Sequence, residues 1–429
     1  MRVSCECIQG KLKINLYPEE NEYEGKKARL SQTSCEFQLP TDWDLTKVHP
    51  DVLATAIILM VYPFAKKTLE LPIGVSSYFS EICKKLIKKD VGPVDERLEP
   101  RVSKESYRMA LAYSGGVDST AAAIIMPKDS VLFFVDRIIP EGVTTAYRKE
   151  AAYFACESLR QKGHKVYQVA TNFEYIREPV GFPVDLACSI PALLMADYEG
   201  IDSIAVGMII DTAYGTRRYD SYRDYLHSWH YKVWGGLLAS VDIPVSLVTA
   251  GLSEVATSLI VQRSGYSGIA ESCMRGKVGK PCMKCMKCFR KKLIEEILDK
   301  GCLSEEIVRD MLAIEQIKGY ILEELQRDQY NLLYITNHYS GEHKLMKILK
   351  NTIGGDRFDS KWLEKWYSPS IELIKPKYRA FIQGKINEYV INMTQEEIVQ
   401  VEGDYLKEFL ESSAYQEGYK QLEAIVSSS

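Results

Sequence analysis

The sequence predicts an α/β protein whose centre is a doubly wound parallel sheet, preceded by a small α+β domain and followed by an α-helical region. Three observations lead to this fold class. From residue 106, short apolar runs alternate with helical stretches, as in β–α repeats. Residues 1–40 alternate polar and apolar side chains in short runs, which is a strand signal. Beyond residue 302 the strand pattern ends and only helical stretches follow.

Each element has its own signal in the sequence. Near the N-terminus, residues 11–17, 35–39 and 68–72 have strand character, whereas residues 52–64 form an apolar run typical of a buried helix. The charged run 88–97, which contains Gly and Pro, is predicted to be a linker. Strands of the parallel sheet are predicted at 107–113, 130–136, 165–170, 203–207 and 243–248. Helical stretches of the C-terminal region are predicted at 304–328, 341–351, 360–390 and 394–425.

Length and composition limit the classes of function. A chain of 429 residues with 46% hydrophobic residues can form two or three domains. A net charge of −4 gives no overall signature of nucleic-acid binding. The N-terminus lacks the apolar core of a signal peptide, and the longest apolar run is too short to span a membrane. The eleven cysteines favour a reducing cytoplasm. We expect three domains, at 1–100, 106–302 and 303–429.

The most informative residues form the loop Ser-Gly-Gly-Val-Asp-Ser-Thr at 114–120, between a predicted strand and a predicted helix. Glycines let the backbone approach a ligand, and the N–H groups of a helix N-terminus attract anions. Asp118 beside a phosphate calls for a divalent cation between them. The loop therefore predicts a phosphate site at Ser114, Gly115, Gly116, Val117, Asp118, Ser119 and Thr120. The alternative is an ordinary strand–helix turn with an N-cap serine.

Four cysteines lie close together further along the chain, at Cys273, Cys282, Cys285 and Cys288. Two overlapping Cys-x-x-Cys units and one upstream cysteine predict a closed, tetrahedral zinc site of the structural type. Glycines at 276 and 279 would let the chain turn back so that Cys273 can join the other three. A disulfide, a redox pair and an iron–sulfur cluster remain alternatives.

The loop at 114–120 lacks the Gly-Lys-Ser/Thr of a Walker A motif, and it resembles the SGGxDS loop of the N-type ATP pyrophosphatases, or PP-loop enzymes. These enzymes cleave ATP between the α and β phosphates. The loop is followed by the segment Phe182–Asp197, the strand ending at Gly207 and the four cysteines, in the same order as in 7-cyano-7-deazaguanine synthase. Residues 106–292 resemble that family. The resemblance implies the HUP/PP-loop ATPase form of the sheet and an AMP-forming ligase that uses ATP, Mg²⁺ and Zn²⁺.

The resemblance also implies roles for particular residues. Asp118 and Ser119 would be catalytic. ATP and pyrophosphate would contact the loop and, at the ends of later strands, Val135, Asp136 and Gly207. The substrate would meet the loop 211–220, where the candidates are Asp211, Tyr214, Arg217, Arg218 and Asp220. The implied substrate is a deazaguanine-like carboxylic acid, 7-carboxy-7-deazaguanine, which is adenylated and then joined to ammonia or a protein amine.

The chain departs from the ordinary synthase in several places. Val184-Asp185 replaces an Arg-Asn pair, and residues 1–100 and 304–429 have no counterpart there. Longer homologues with such additions occur in bacterial antiphage systems, which implies a role in antiviral defence with a protein acceptor docked on either extension. Three other interpretations remain: an ATP-dependent muropeptide epimerase, a tRNA-modifying PP-loop enzyme and a non-catalytic scaffold. Cys156 and Cys188, the spare thiols of the central region, are interpreted as core residues.

Overall fold

A single ten-stranded sheet forms the centre of the protein in the computed structural model, which describes residues 1–24, 27–215, 222–270, 272–327, 329–403 and 407–427. The predicted α/β class is confirmed, because helices surround a sheet that is mostly parallel. The strands are β1 Arg2–Ile8, β2 Lys11–Tyr17, β3 Arg29–Leu30, β4 Ser34–Gln38, β5 Thr68–Ser76, β6 Asp90–Asp95, β7 Arg108–Tyr113, β8 Val131–Arg137, β9 Lys165–Thr171, β10 Arg177–Glu178, β11 Ile201–Val206 and β12 Val245–Ser246.

The parallel half of the sheet has the order β12-β11-β7-β8-β9, in which every neighbouring pair is parallel. Counted from β7, this is the order 5-4-1-2-3 of a doubly wound sheet. Strand β7 is buried from Met109 to Tyr113, and the first five residues of β8 are also buried, as expected for strands covered on both faces. The chain reverses its direction of winding between β7 and β11. In such sheets, ligands bind outside the carboxyl ends of the strands at this point.

The first hundred residues extend the same sheet. Strand β4 pairs antiparallel with β9, where Phe37 lies opposite Thr171, and β2, β1, β5 and β6 follow in that order. The predicted linker at 88–97 is wrong, since it contains β6, which pairs in parallel with β5. Val91 is buried and supports this pairing. As the outermost strand of the sheet, β6 tolerates Pro93, which has no N–H to donate.

Helices cover both faces of the sheet and make up the C-terminal region. The α-helices are α1 Pro50–Val61, α2 Ser77–Leu86, α3 Val117–Ile125, α4 Glu150–Gln161, α5 Ile190–Leu194, α6 Ala196–Glu199, α7 Ile210–Ala213, α8 Gly236–Ala239, α9 Glu254–Arg263, α10 Met286–Lys300, α11 Glu305–Leu312, α12 Glu315–Arg327, α13 Gln329–Asn337, α14 Lys344–Ile353, α15 Pro376–Asn387, α16 Gln395–Glu402, α17 Lys407–Leu410 and α18 Ser413–Ser427. No helix in the described ranges combines the length and the apolar character that a membrane crossing requires.

The C-terminal region is joined closely to the sheet. The predicted helix at 360–390 is broken into 3₁₀ turns before α15, because Pro369 and Pro376 can each begin a helical segment but cannot continue one. The Lys377 ammonium and the Tyr378 hydroxyl lie 2.9 and 2.6 Å from the carboxylate of Asp202 in β11. Tyr378 also belongs to the apolar cluster that contains α3 and α9. This part of the chain therefore covers the face of the sheet on which those two helices lie.

Candidate functional site

The loop at 114–120 leaves β7 and enters α3, as predicted. Gly115 has φ +82°, and a Cβ atom there would lie 3.2 Å from the Cα atom of Ala152, so glycine suits both the backbone conformation and the close approach of α4. Gly116 is the N-cap of α3 and supplies no side chain to cap it. The hydroxyl oxygens of Ser114 and Ser119 lie 3.0 Å apart across the loop. The two glycines and the two serines thus give the loop its shape.

The N-terminus of α3 presents unpaired donors. The N–H groups of Gly115, Asp118 and Ser119 donate to no acceptor among the described residues, while the N–H of Val117 donates to the Ser272 hydroxyl at 3.3 Å. The first N–H groups of a helix have no partner within the helix itself. Together with the positive end of the helix dipole, these donors give the loop the features that an anion site requires.

A cavity of about 290 Å³ opens directly beyond these donors, at the carboxyl ends of β7, β8 and β11. Six of the residues predicted to bind ATP or pyrophosphate line it: Ser114, Gly116, Asp118, Ser119, Val135 and Gly207. Gly207 is needed for close packing, because a Cβ atom there would lie 3.1 Å from the backbone of Ser119. The structure therefore brings residues from three strand ends to one cavity, at the crevice where doubly wound sheets bind ligands.

Four other predicted nucleotide-site residues do not line this cavity. Gly115 lies beneath the loop against α4. Val117 lines a smaller neighbouring cavity of about 60 Å³. The Thr120 hydroxyl is buried 3.1 Å from the Tyr113 hydroxyl. Asp136 is paired with Lys149 at 2.7 Å and accepts a hydrogen bond from the Tyr153 hydroxyl at 2.7 Å.

The rest of the cavity wall is cationic and aromatic. Arg137, Arg148 and Lys287 supply positive charge, and Phe133, Phe134, Tyr147 and Phe182 supply rings. The Arg137 Nε atom lies 2.5 Å from Glu174 Oε2, and the guanidinium lies 4.7 Å from the centre of the Tyr147 ring. A cavity with this wall suits a ligand that has both a planar ring and several negative charges.

The four predicted cysteines converge. Their sulfur atoms all lie within 4.8 Å of one another, and the Sγ atom of Cys288 is 3.7 Å from that of Cys282 and 3.5 Å from that of Cys285. Four thiolates around a tetrahedral zinc ion would lie about 3.8 Å apart. A Cβ atom at Gly276 would lie 2.6 Å from the carbonyl oxygen of Lys280, so the turn that brings Cys273 back requires glycine. The cluster can hold a metal ion such as zinc.

The cysteine segment contacts the loop at 114–120 and the cavity beside it. Ser272, next to Cys273, accepts the N–H of Val117 in α3, and Cys273 itself lines the 290 Å³ cavity. The carbonyl oxygen of Met274 accepts the N–H of Arg148 at 2.8 Å. Helix α10 begins within the cluster and carries Cys288 in its first turn. The cysteine segment is therefore also a wall of the candidate site.

A network of buried charges lies behind the loop. The Lys291 ammonium, on α10, is 3.7 Å from Asp118 Oδ1 and 3.1 Å from Glu254 Oε1, and Arg290 lies 3.2 Å from Glu254 Oε2. The Thr257 hydroxyl donates to Asp118 Oδ1 at 2.7 Å. Burial alone would raise the pKa of Glu254, but the two cations outweigh it and lower the pKa to about 2.

Glu254→Gln is expected to destabilise the protein by about 3–5 kcal/mol, because it leaves Arg290 and Lys291 buried without their shared carboxylate. Urea denaturation at pH 7 measures the free energy of unfolding. Glu157→Gln, which breaks an exposed ion pair with Arg160, should cost less than about 1 kcal/mol. Because the folded-state pKa of Glu254 is depressed, its contribution is fully present above about pH 4.5 and is lost as the pH falls toward 2. Equal losses in the two variants would contradict this account.

Of the residues predicted to bind the substrate, the two that the structure describes are not brought to this cavity. Asp211 is buried in α7, and the Tyr214 ring stacks on Tyr222 and packs edge-on against Tyr367 in the C-terminal region. Neither residue lines the cavity. The other three predicted substrate residues, Arg217, Arg218 and Asp220, lie outside the described residues.

The two spare thiols differ in their positions. Cys156 is a buried residue of α4, as interpreted from the sequence, whereas Cys188 is half-buried and lines the cavity. Burial raises the pKa of Cys188 to about 12, so this thiol stays protonated near neutral pH.

Sequence reasoning missed several residues of the site. Thr257 and Arg148 are separated from the loop in sequence, and no local pattern marks them. For Ser272 and Lys291 there was one usable signal, since both are close in sequence to predicted metal ligands. If the metal segment lies beside the loop, its flanking polar residues are the first candidates to reach the loop.

Comparison with known proteins gives one match. A family model described as a family of unknown function (DUF6395) matches residues 233–404, which is fewer than half of the residues in the chain. The matched span contains the four cysteines, α9 and α10, but it does not reach the loop at 114–120. No curated protein matches the chain, and no solved structure matches it.

Proposed function

We propose that this protein is an AMP-forming ligase of the PP-loop type, which adenylates a carboxylate with ATP and transfers the acyl group to an amine. The observation that carries the proposal is the position of the loop at 114–120. Asp118 and Ser119, whose N–H groups are unpaired among the described residues, line a 290 Å³ cavity at the switch point of a doubly wound sheet. The same wall carries Asp118 and three cationic side chains. These features suit the triphosphate of ATP better than an uncharged ligand.

The chemistry explains why ATP is required. A carboxylate is a poor electrophile because oxide is a poor leaving group. Attack of the carboxylate oxygen on the α-phosphorus forms a mixed acyl–adenylate anhydride and breaks the bond to pyrophosphate. An amine then attacks the acyl carbon, AMP leaves, and the product is an amide plus one released proton. In both steps the protein contributes mainly by positioning and by stabilising charge.

Particular residues suit the first step. The loop N–H groups and the Ser114 and Ser119 hydroxyls are placed to hold the departing pyrophosphate. A magnesium ion fits at Asp118, because Oδ2 of this carboxylate accepts no hydrogen bond from the described residues, whereas Oδ1 is held by Thr257 and Lys291. When bound, the ion would neutralise part of the phosphate charge. Lys291 and Thr257 keep the carboxylate pointing toward the cavity.

The substrate we propose is 7-carboxy-7-deazaguanine or a similar heteroaromatic acid, with ammonia or a protein amine as the acceptor. The support is the order of motifs along residues 106–292 and the aromatic wall of the cavity. A guanine-like ring also needs a carboxylate to accept from its N1–H and exocyclic amine. The sequence offers Asp220 for this role, whereas Asp211 does not line the cavity. The four-cysteine centre, proposed to hold zinc, has no open ligand position and is therefore structural.

The reaction products test this proposal. With ATP, Mg²⁺ and 7-carboxy-7-deazaguanine plus ammonium, we expect AMP and pyrophosphate in equal amounts, measured by chromatography and a pyrophosphate assay. Formation of ADP and phosphate would contradict the PP-loop assignment. Calorimetric titration with the acid, in the presence of a non-hydrolysable ATP analogue, tests the substrate separately. Binding of a muropeptide in its place would favour the epimerase.

A further inference from the structure

Two lysines of the cysteine segment have the same local sequence but different surroundings. The run Cys-Met-Lys-Cys-Met-Lys-Cys places Lys284 between Cys282 and Cys285, and Lys287 between Cys285 and Cys288. Both side chains are exposed. Only Lys287 lines the 290 Å³ cavity, where it lies on the same wall as Ser114, Asp118 and Ser119.

Glu254 attracts the charge of Lys287 without forming an ion pair with it. In the described ranges no carboxylate forms an ion pair with its ammonium group, whereas the cavity's Arg137 is already held by Glu174. Lys287 additionally lines the small 60 Å³ cavity next to the N-terminus of α3. A compact ammonium at this position lies beside the unpaired N–H groups of the loop, which is the arrangement that polyphosphate groups prefer.

We propose that Lys287 binds the β- and γ-phosphates of the nucleotide, and that the cysteine centre positions this lysine. The inference rests on the proposed function. The backbone of Lys287 lies between Cys285 and Cys288 in sequence. A metal bound by these cysteines would therefore restrain the chain on both sides of the Lys287 Cα atom. The centre thereby supplies one of the site's cations from a segment that is about 170 residues from the loop in sequence.

The two lysines form a matched pair for the test. Lys287→Gln and Lys284→Gln each remove one positive charge between two cysteines. We expect Lys287→Gln to raise the Kd for a non-hydrolysable MgATP analogue by roughly 10- to 100-fold, the effect of losing a charged hydrogen bond. Lys284→Gln should stay within about twofold of the unmodified protein, and Lys287→Arg should recover most of the affinity. Isothermal calorimetry measures each Kd, and elemental analysis should give the same metal content in all the variants.

Two simpler ligands test which part of the nucleotide Lys287 contacts. Tripolyphosphate should lose affinity for the Lys287→Gln variant, whereas AMP, which lacks the β- and γ-phosphates, should bind both glutamine variants equally. Equal Kd values for MgATP in the two variants, or weakened AMP binding in Lys287→Gln alone, would overturn the inference while leaving the proposed function intact. If the unmodified protein bound no nucleotide at all, the proposed function would fail and this inference with it.

Discussion

The double variant Cys285→Ser/Cys288→Ser is expected to lose its metal and to fold poorly. These two residues supply half of the four sulfur atoms that lie within 4.8 Å of one another, and serine is a weak ligand for zinc. Metal binding at structural sites contributes directly to folding, by about 10–16 kcal/mol in small zinc peptides. The loss of folding free energy should be smaller here than in zinc peptides, because α10 also packs in the main apolar core. We still expect this double variant to have the largest effect on stability of any substitution considered.

Elemental analysis and thermal unfolding measure the two parts of this expectation. The unmodified protein should contain one zinc per chain, and the double variant should contain almost none and unfold at a much lower temperature. Cys302→Ser is the control, since Cys302 is exposed just beyond α10 and outside the cluster. Zinc retained fully by the double variant, or no zinc in the unmodified protein, would show that this cluster is not a zinc site.

Asp118→Asn is expected to reduce the rate of pyrophosphate release by roughly 100- to 1,000-fold, comparable to the loss of one group that stabilises the transition state. Asparagine has nearly the same shape and can still accept the Thr257 hydroxyl, but it lacks the charge to hold a magnesium ion. The fold should survive, because Lys291 keeps its second partner, Glu254, at 3.1 Å. Steady-state kinetics with saturating ATP measure the effect.

The control for this variant is Asp129→Asn, which changes an exposed carboxylate beyond the far end of α3. Its rate should match that of the unmodified protein. Circular dichroism of both variants should show unchanged secondary structure, so that a slow Asp118→Asn enzyme reflects chemistry and not unfolding. A rate for Asp118→Asn within about threefold of the unmodified protein would remove Asp118 from the proposed mechanism.

The sheet was predictable wherever its signals are local. Short apolar or alternating runs mark these strands in the sequence, so β7, β8, β9 and β11 start and end within two residues of their predicted limits. The last strand was predicted at 243–248, but it pairs only at Val245 and Ser246. The residue before it, Pro244, has no N–H to donate to a neighbouring strand.

Pairings between distant segments could not be predicted in this way. The contact of β4 with β9 and the approach of Lys291 to Asp118 join residues more than 130 positions apart, and neither leaves a periodic trace in the sequence. The loop and the cysteines were found because each is a compact motif. The contact between the loop and the cysteine segment through Ser272 could not be predicted, because it depends on how the intervening elements fold.

The pairing of β4 with β9 has a consequence for how the sheet avoids pairing with other molecules. Without residues 1–100, β9 would become an edge strand whose unpaired backbone groups face outward, and such edges recruit strands from other molecules. The side chain of Val169 on β9, which belongs to the same apolar cluster as Phe37, would add apolar surface. The N-terminal region therefore covers the edge of the parallel strands that carry the candidate site. A chain shortened to its parallel half would be expected to self-associate before its chemistry could be assessed.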